Sequence, residues 1–278
     1  MVKVLRPQAE ANKISRVLDT VLGLERYPVN VKDIAVGISE SKFPDEPISE
    51  ILSGSFESDA FQGALVKHSK KAKWKIIYNN ALVSDGRINF TLAHEFGHYI
   101  LHRSLQNEFS CTTDKYESYD SGLMAKVESE ADEFASCLLM PLHDFRKQTE
   151  NNDVSIELLI HCANRYNVSL MAAALKWKDI IPKRVVVVAA RDGFLLWASS
   201  NKAAYMSGVY IRTKNNAVPV PDNSLMKSDS CGSIHGKTQV TNARIWFPNE
   251  PIDMSITEHV FISQSDYNYV LGLLILPF

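Results

Sequence analysis

Two histidines, His94 and His98, stand four residues apart in the segment Thr-Leu-Ala-His-Glu-Phe-Gly-His-Tyr-Ile-Leu-His, which covers residues 91–102. An α-helix has about 3.6 residues per turn, so the two imidazoles lie only about 40° apart around its axis and can bind one metal ion. Glu95 lies about 100° from His94, where its carboxylate can reach a metal-bound water without ligating the metal itself. The pattern H-E-x-x-H therefore predicts a helix that carries a catalytic metal site.

The rest of this helix, predicted over residues 89–104, is amphipathic. Its apolar residues fall roughly 140–260° from His94, on the side opposite the metal face, and they are Leu92, Ala93, Phe96, Tyr99 and Ile100. Gly97 lies in the middle of the helix, where glycine costs about 1 kcal/mol relative to alanine. A glycine in this place predicts the close approach of another backbone or side chain beside the site.

Hydrolytic zinc sites need a third protein ligand and an open position for water. The candidates in the sequence are His102, Glu108, Asp114, Glu117, Glu128 and Glu130. His102 continues the same helix and lies roughly 12 Å along its axis from His94, too far to share the metal. We expect His102 to support the site from the end of the helix.

A second helix, predicted over residues 123–140 and ended by Pro141, supplies the preferred third ligand. Glu128 and Asp132 are four residues apart and share one helix face, beside small alanines that permit close packing. Glu128 is the expected ligand, and Asp132 is expected to accept a hydrogen bond from a ligating imidazole. Glu130 lies about 160° from Asp132 around the helix and is the fallback ligand.

The two segments together resemble the ImmA/IrrE family of zinc-dependent metallo-endopeptidases. The resemblance is carried by F-T-L-A-H-E-F-G-H-Y-I-L-H and the later E-S-E-A-D-E-F-A-S-C-L-L-M-P, and it covers residues 28–178. It implies zinc (Zn2+) as the metal, His94, His98 and Glu128 as its ligands, and Glu95 as the catalytic glutamate. Phe96 stands where the family usually has an aliphatic residue, and Asp132 stands where asparagine is common.

The expected fold class is α+β, with two domains. Residues 1–181 are predicted to form a zincin-like metalloprotease domain, in which a small sheet packs on the H-E-x-x-H helix and a helical pair follows at 155–179. Residues 182–278 are predicted to form a β-rich C-terminal domain, because β-type runs recur at 185–190, 193–197, 209–212, 244–247, 259–262 and 270–276. Some relatives carry a GAF-like sensory domain at this end, and the β-rich region is compatible with one.

The resemblance also implies a function, namely hydrolysis of a peptide bond in a protein substrate. The implied substrate is a helix-turn-helix transcriptional repressor, cleaved as part of a stress or mobile-element switch. The alternative is a regulatory binding protein that has a zincin-like scaffold and little or no proteolytic activity. A third hypothesis, a DNA-binding regulator, is disfavoured by the formal net charge of −2. We therefore expect no direct contact with nucleic acid.

Three further features bear on compartment. The chain begins without the apolar run of a signal peptide, and no apolar stretch reaches the roughly 20 residues that span a bilayer. Four cysteines, Cys111, Cys137, Cys162 and Cys231, show no C-x-x-C spacing. These features predict a cytoplasmic protein with reduced thiols and no membrane contact, and they argue against a zinc site built from cysteines.

Two aspects of substrate handling stay open in the sequence. Tyr116, Tyr119 and His143 are candidates for stabilising the tetrahedral oxyanion, with nothing to choose among them. The predicted strand at 74–79 could hold an extended substrate by edge pairing, provided that it lies at the edge of its sheet.

Overall fold

The computed structural model describes residues 5–56, 61–82, 84–112, 122–150, 153–227, 236–262 and 269–277. The chain divides into two compact units. The first comprises residues 1–147 and 163–169, and the second comprises residues 148–162 and 170–278. Together they contain helices and two separate sheets, which makes the chain an α+β protein. The expected domain division at 181/182 stays a prediction.

The first unit contains a four-stranded sheet and the helices around it. Its helices are α1 (Pro7–Leu22), α2 (Val31–Lys42), α3 (Asp85–His102), α4 (Leu123–Leu139) and most of α5 (Leu142–Thr149), and its strands are β1 (Ile48–Gly54), β2 (Phe61–Lys67), β3 (Trp74–Asn79) and β4 (Glu108–Thr112). The strand order is β1-β3-β2-β4, with β1 parallel to β3 and the other pairs antiparallel. Helix α3 packs against β2 and β3 on one side and against α4 on another.

The alternation of side chains along β3 places Trp74, Ile76 and Tyr78 on one face of the sheet, where all three are buried. The strand lies between β1 and β2, so both of its edges are already paired. The prediction that the strand at 74–79 holds a substrate by edge pairing is therefore wrong. Among the strands that the structure describes, β1 and β4 are the ones at the edges of this sheet.

Helix α3 begins four residues earlier than the apolar pattern predicts. The side chain of Ser84 accepts a hydrogen bond from the backbone N–H of Arg87 at 3.3 Å and so caps the helix N-terminus. Asp85 follows in the first turn, where a negative charge is favoured by the helix dipole. The cap fixes the start of the helix ahead of the histidines, so both of them lie well inside it.

The second unit is built around a five-stranded antiparallel sheet. Its strands are β5 (Arg184–Arg191), β6 (Phe194–Ser200), β7 (Lys237–Asn242), β8 (Ser255–Ile262) and β9 (Val270–Leu276), in the order β6-β5-β9-β8-β7. Helices α7 (Leu170–Ile180) and α8 (Lys202–Met206) belong to this unit as well, while α6 (Ile156–Tyr166) crosses the division between the units. The central strands β5 and β9 are almost continuously apolar because both of their faces are buried.

Two of the predicted β-type runs in this unit are not strands. Residues 209–212 have no regular structure, and Ala243–Ile245 form a 3-10 turn. The turn is set by Asn242, whose side chain accepts a hydrogen bond from the backbone N–H of Arg244 at 2.9 Å. Trp246 and Phe247 follow it and are buried as side chains of a loop. Across the described part of the chain, no helix has both the length and the apolar character that crossing a membrane requires.

Candidate metal centre

Helix α3 brings the two histidines of the motif together as the spacing predicts. His94 and His98 are each 1% exposed, and their Nε2 atoms lie 2.9 Å apart. The rings meet edge to face, with centroids 4.6 Å apart. Both Nε2 lone pairs are thus directed into one small buried space.

Helix α4 adds a carboxylate to this pair. The Oε2 atom of Glu128 lies 3.2 Å from His94 Nε2 and 3.5 Å from His98 Nε2. An ion with tetrahedral ligands at about 2.0–2.2 Å, as zinc has, sets its ligand atoms roughly 3.3–3.6 Å apart. The three separations of 2.9, 3.2 and 3.5 Å lie within a few tenths of an ångström of that range. Two imidazoles and one carboxylate, in this arrangement, fit a divalent metal ion.

The three groups differ in charge. Burial raises the pKa of Glu128, but hydrogen bonds with His94 and His98 outweigh it and hold the pKa at about 2. Burial lowers the pKa of His98 to about 4. The same effect on His94 is outweighed by its hydrogen bonds to Asp132 and Glu128, which raise its pKa to about 10. His94 therefore carries a proton beside the Glu128 anion, and an ion that binds its Nε2 atom would take the place of that proton. Two imidazoles and one carboxylate are ligand types that suit zinc.

Close packing of α3 and α4 makes the meeting possible. A Cβ atom at Gly97 would lie 3.1 Å from Phe134 Cδ1 and 3.2 Å from the carbonyl oxygen of Ala131, both in α4. Ala131 is itself fully buried. The prediction that Gly97 marks a close approach is confirmed, and the approaching element is the helix that carries Glu128.

Glu95 is fully buried, and neither of its carboxylate oxygens has a hydrogen-bond partner among the described residues. Burial raises its pKa to about 8, with the charge of His94 opposing the rise and the charge of Glu128 adding to it. Its Oε1 atom lies 3.2 Å from the point where a Cβ atom of Gly63 would stand. Gly63 of β2 therefore leaves the room that the carboxylate occupies.

Asp132 lies behind His94. Its Oδ1 atom is 2.8 Å from His94 Nδ1, on the side of the ring opposite Glu128. An imidazole that binds a metal through Nε2 carries a proton on Nδ1, and this proton needs an acceptor. Asp132 is placed to accept it, in the role that the sequence predicts for it.

His102 occupies the corresponding place behind His98. The Nδ1 atoms of the two rings are 3.2 Å apart, and His102 Nε2 lies 3.0 Å from Glu130 Oε2. Burial lowers the pKa of His102, so the ring is neutral and can accept at Nδ1 while it donates at Nε2. Glu130, the fallback ligand, contacts His102 and does not belong to the group formed by His94, His98 and Glu128.

Strand β4 closes another side of the site, which the sequence did not predict. Phe109 stacks on His98 with ring centroids 4.6 Å apart and planes at 16°. Cys111 lies two residues further along, and its sulfur, a His94 nitrogen and a Glu128 oxygen are all within 4.8 Å of one another. The sequence argues against a zinc site built from cysteines, and that stays a prediction, although the thiol of Cys111 lies beside the donor group. No local pattern marks it, because its place depends on the pairing of β4 with β2.

The remaining candidates lie elsewhere. Tyr116 and Tyr119, like Asp114 and Glu117, fall outside the described residues, as does Cys231. His143 lies on α5, with its Nε2 atom 3.3 Å from Asp19 of α1. Glu108 opens β4, opposite Val66.

The chain is similar to known proteins in two comparisons. Residues 56–178 match the model of the Peptidase M78 family, whose description is "IrrE N-terminal-like domain". A solved structure of a Mycobacterium tuberculosis transcriptional regulator superposes with a TM-score of 0.60 at 11% sequence identity, covering 96% of this chain and 76% of that one. Identity this low shows a shared fold alone. A search of curated proteins finds no match.

Proposed function

Because residues 56–178 place this chain in the ImmA/IrrE family of M78 peptidases, we propose that it is a zinc-dependent endopeptidase. One observation carries the proposal. Three donor atoms, from His94, His98 and Glu128, converge within 3.5 Å of one another beside the buried carboxylate of Glu95, which has no hydrogen-bond partner among the described residues. Such a carboxylate is costly to bury, and its retention beside metal donors supports a role in catalysis.

The two imidazole Nε2 atoms and Glu128 Oε2 are the atoms that would hold the ion. When bound there, zinc supplies Lewis-acid polarisation of the scissile carbonyl and lowers the pKa of water. Asp132 and His102 hold the two imidazoles in the tautomer that leaves Nε2 available. The protein thus contributes a prearranged donor set whose rings need not turn when the ion enters.

Glu95 is the proposed general base and acid. Its carboxylate is buried beside the donor atoms, where the charge of a bound ion would favour the anionic form that accepts a proton. Glu95 accepts the proton of the attacking water and later donates it to the leaving amine. Its complete burial excludes bulk water from this transfer.

The proposed substrate is a protein, and its segment near the cleavage site binds in an extended form. Strand β4 supports this because it lies at the edge of the described sheet and borders the donor group through Phe109 and Cys111. An extended peptide can add to such an edge through backbone hydrogen bonds. The proposed substrate therefore pairs along β4.

We further propose that this protein substrate is a helix-turn-helix repressor, cleaved in the cytoplasm as part of a stress or mobile-element switch. The family resemblance supports this, and a regulator of transcription is among the proteins with this fold. The second unit, with its five-stranded antiparallel sheet, is proposed to sense the signal, and its GAF-like character stays a prediction. A net charge of −2 suits a protein that meets a DNA-binding partner better than one that holds DNA.

The test compares Glu95→Gln with the wild type, in cells that co-express a candidate helix-turn-helix repressor. Glu95→Gln should retain zinc, measured by elemental analysis after dialysis, and lose cleavage by about 10²–10⁴-fold. Glu128→Ala should lose zinc as well. Glu133→Gln is the matched control, because Glu133 lies on the exposed face of α4 and binds Gln8.

Cleavage by Glu95→Gln at the wild-type rate would show that the peptidase proposal is wrong. Regulation that survives Glu95→Gln without any cleavage would favour the alternative, a binding protein with a zincin-like scaffold.

A further inference from the structure

A fourth potential donor lies beside the group that the proposed function uses. We propose that Cys111 is a displaceable fourth ligand of the metal, which keeps the peptidase latent until its thiolate leaves; this inference rests on the proposed function. The sulfur of Cys111, a His94 nitrogen and a Glu128 oxygen lie within 4.8 Å of one another. A Zn–S bond of about 2.3 Å then requires only small adjustments of these side chains.

The register of two elements fixes this position. Residues two apart on a strand point to the same face and lie about 6.6–6.8 Å apart, while one helical turn rises about 5.4 Å. Phe109 stacks on His98, so Cys111, two residues later on β4, falls beside His94, one turn earlier on α3. The two-residue repeat of β4 is thus close in length to one turn of α3. The thiol of Cys111 therefore lies beside His94 because of the regular geometry of both elements.

Glu95 gives the second observation. Cys111 pairs directly with Gly63 across β4 and β2, and directly paired residues share one face of the sheet. The Oε1 atom of Glu95 lies 3.2 Å from the position of a Cβ atom on Gly63, and the carboxylate is buried with no hydrogen-bond partner in the described part of the chain. The thiol and Glu95 therefore border the same side of the donor group. In the proposed function Glu95 takes a proton from the attacking water, so the thiol borders the side from which that water would attack.

Binding of the Cys111 sulfur to the ion releases one proton, and its departure from the ion takes one up. When the Cys111 sulfur binds the ion, the thiol releases its proton to solvent, and the ion gains a closed set of four ligands. Two imidazoles, one carboxylate and one thiolate carry a charge of two negative units, which neutralises a divalent ion. When the thiolate leaves it takes up a proton, and the position opens for water or for a substrate carbonyl. A closed set is typical of structural zinc, whereas an open one is typical of catalytic zinc.

Cobalt(II) substitution tests the inference without relying on activity. The full-length protein is stripped with a chelator and reconstituted with Co²⁺, and its absorption is recorded in the visible and near-ultraviolet. Visible bands report four-coordinate cobalt, and a near-ultraviolet charge-transfer band reports a thiolate bound to it. The variants are Cys111→Ala and Cys111→Ser, with Cys137→Ser as control. Cys137 lies on α4, nine residues after Glu128 and about 13 Å along the helix axis.

We expect the charge-transfer band in the wild type and in Cys137→Ser, and its complete loss in both Cys111 variants. The visible bands should persist in all four proteins, which shows that the Cys111 variants fold and bind metal. We also expect Cys111→Ala to cleave the co-expressed repressor faster than the wild type does.

The outcomes separate the two proposals. Failure of the wild type to retain cobalt, measured by elemental analysis after dialysis, would mean that the chain binds no metal at this site, and the proposed function would fail. Visible bands without a charge-transfer band in the wild type, or a band that persists in the Cys111 variants, would overturn the ligand role of Cys111 alone. Cleavage by Cys111→Ala that is no faster than by the wild type would overturn its role in latency.

Discussion

Asp132 Oδ1 lies 2.8 Å from His94 Nδ1, while Glu128 Oε2 lies 3.2 Å from Nε2 of the same ring. One helix, α4, thus contacts both nitrogens of one histidine of α3. The four-residue spacing of Glu128 and Asp132 puts them one turn apart on the same helix face. Their carboxylates can therefore contact the two nitrogens of one imidazole. The orientation of His94 is therefore set by how α4 packs on α3.

Loss of Asp132 should weaken metal binding without abolishing it. We expect Asp132→Ala to lower zinc affinity by about 10–100-fold, because the Nδ1 proton of His94 loses its acceptor. Asp132→Asn should lose much less, since its amide oxygen can still accept. Competition with a chromophoric chelator measures both, and Glu133→Ala on the same helix is the control. Equal affinities in Asp132→Ala and the control would show that Asp132 does not orient His94.

His102 should act on metal binding through His98. Replacing His102 with leucine leaves the buried Nδ1–H of His98 without its acceptor, a loss worth about 1–3 kcal/mol. We expect lower zinc affinity in His102→Leu, together with a change of the His98 tautomer that NMR of the ring nitrogens detects. Glu130→Gln should have a smaller effect, because its amide oxygen can still accept from His102. His161→Leu, at an exposed histidine, is the control, and an unchanged His98 tautomer in His102→Leu would contradict the relay.

Gly97 should be intolerant of side chains, because α4 stands directly against it. We expect Gly97→Val to lower the free energy of unfolding by about 1–3 kcal/mol through overpacking, and to weaken metal binding by pushing Glu128 away. Gly97→Ala should lose less, since its helix propensity is better by about 1 kcal/mol. Urea unfolding measures both.

Gly37 offers a matched control for this prediction. It lies within α2, and nothing stands within 4 Å of a Cβ atom built there. Gly37→Ala should therefore raise the free energy of unfolding by up to about 1 kcal/mol. Gly97→Val that is as stable as the wild type would mean that the two helices do not pack as closely as Gly97 requires.

The sequence was sufficient for the parts of the site that lie within single helices. On a helix, the spacing of His94, Glu95 and His98 determines which side chains share a face, and the same is true of Glu128 and Asp132. The close approach of a second element was also predictable from Gly97, because a glycine in the middle of a helix lowers stability unless a larger residue would not fit there.

The sheet was less predictable because its pairing is non-local. Strand β1 buries Ile48 and leaves most of its other residues exposed or half-buried, so no alternating pattern marks it. Its parallel pairing with β3 is what moves β3 from the edge to the middle of the sheet. The place of Cys111 depends likewise on the register of a five-residue strand against β2. Neither the pairing of β1 with β3 nor the position of Cys111 can be predicted from the residues that flank them in the sequence.

The ion pair of Asp144 should make the stability of the first unit depend on acid pH. Asp144 accepts hydrogen bonds from Arg165 Nε at 2.8 Å and from the hydroxyl of Tyr166 at 2.7 Å. Burial raises the pKa of Asp144, but these bonds outweigh it and hold the pKa below its ordinary value of 3.8. The folded state therefore favours the anion, and the resulting stability is present above pH 3.8 and is lost as the pH falls through the lower folded value.

We expect Asp144→Asn to lower the free energy of unfolding by about 3 kcal/mol at pH 7, because Arg165 loses its buried anionic partner and keeps only the exposed Glu25. The difference from the wild type should shrink as the pH falls through 3.8, because the unfolded wild-type chain then takes up a proton on Asp144 that the folded chain does not. Urea unfolding at a series of pH values measures this, with the exposed Asp45→Asn as control. A difference that stays constant from pH 7 to pH 3 would mean that the charge of Asp144 contributes nothing. Its effect would then come from packing and from neutral hydrogen bonds.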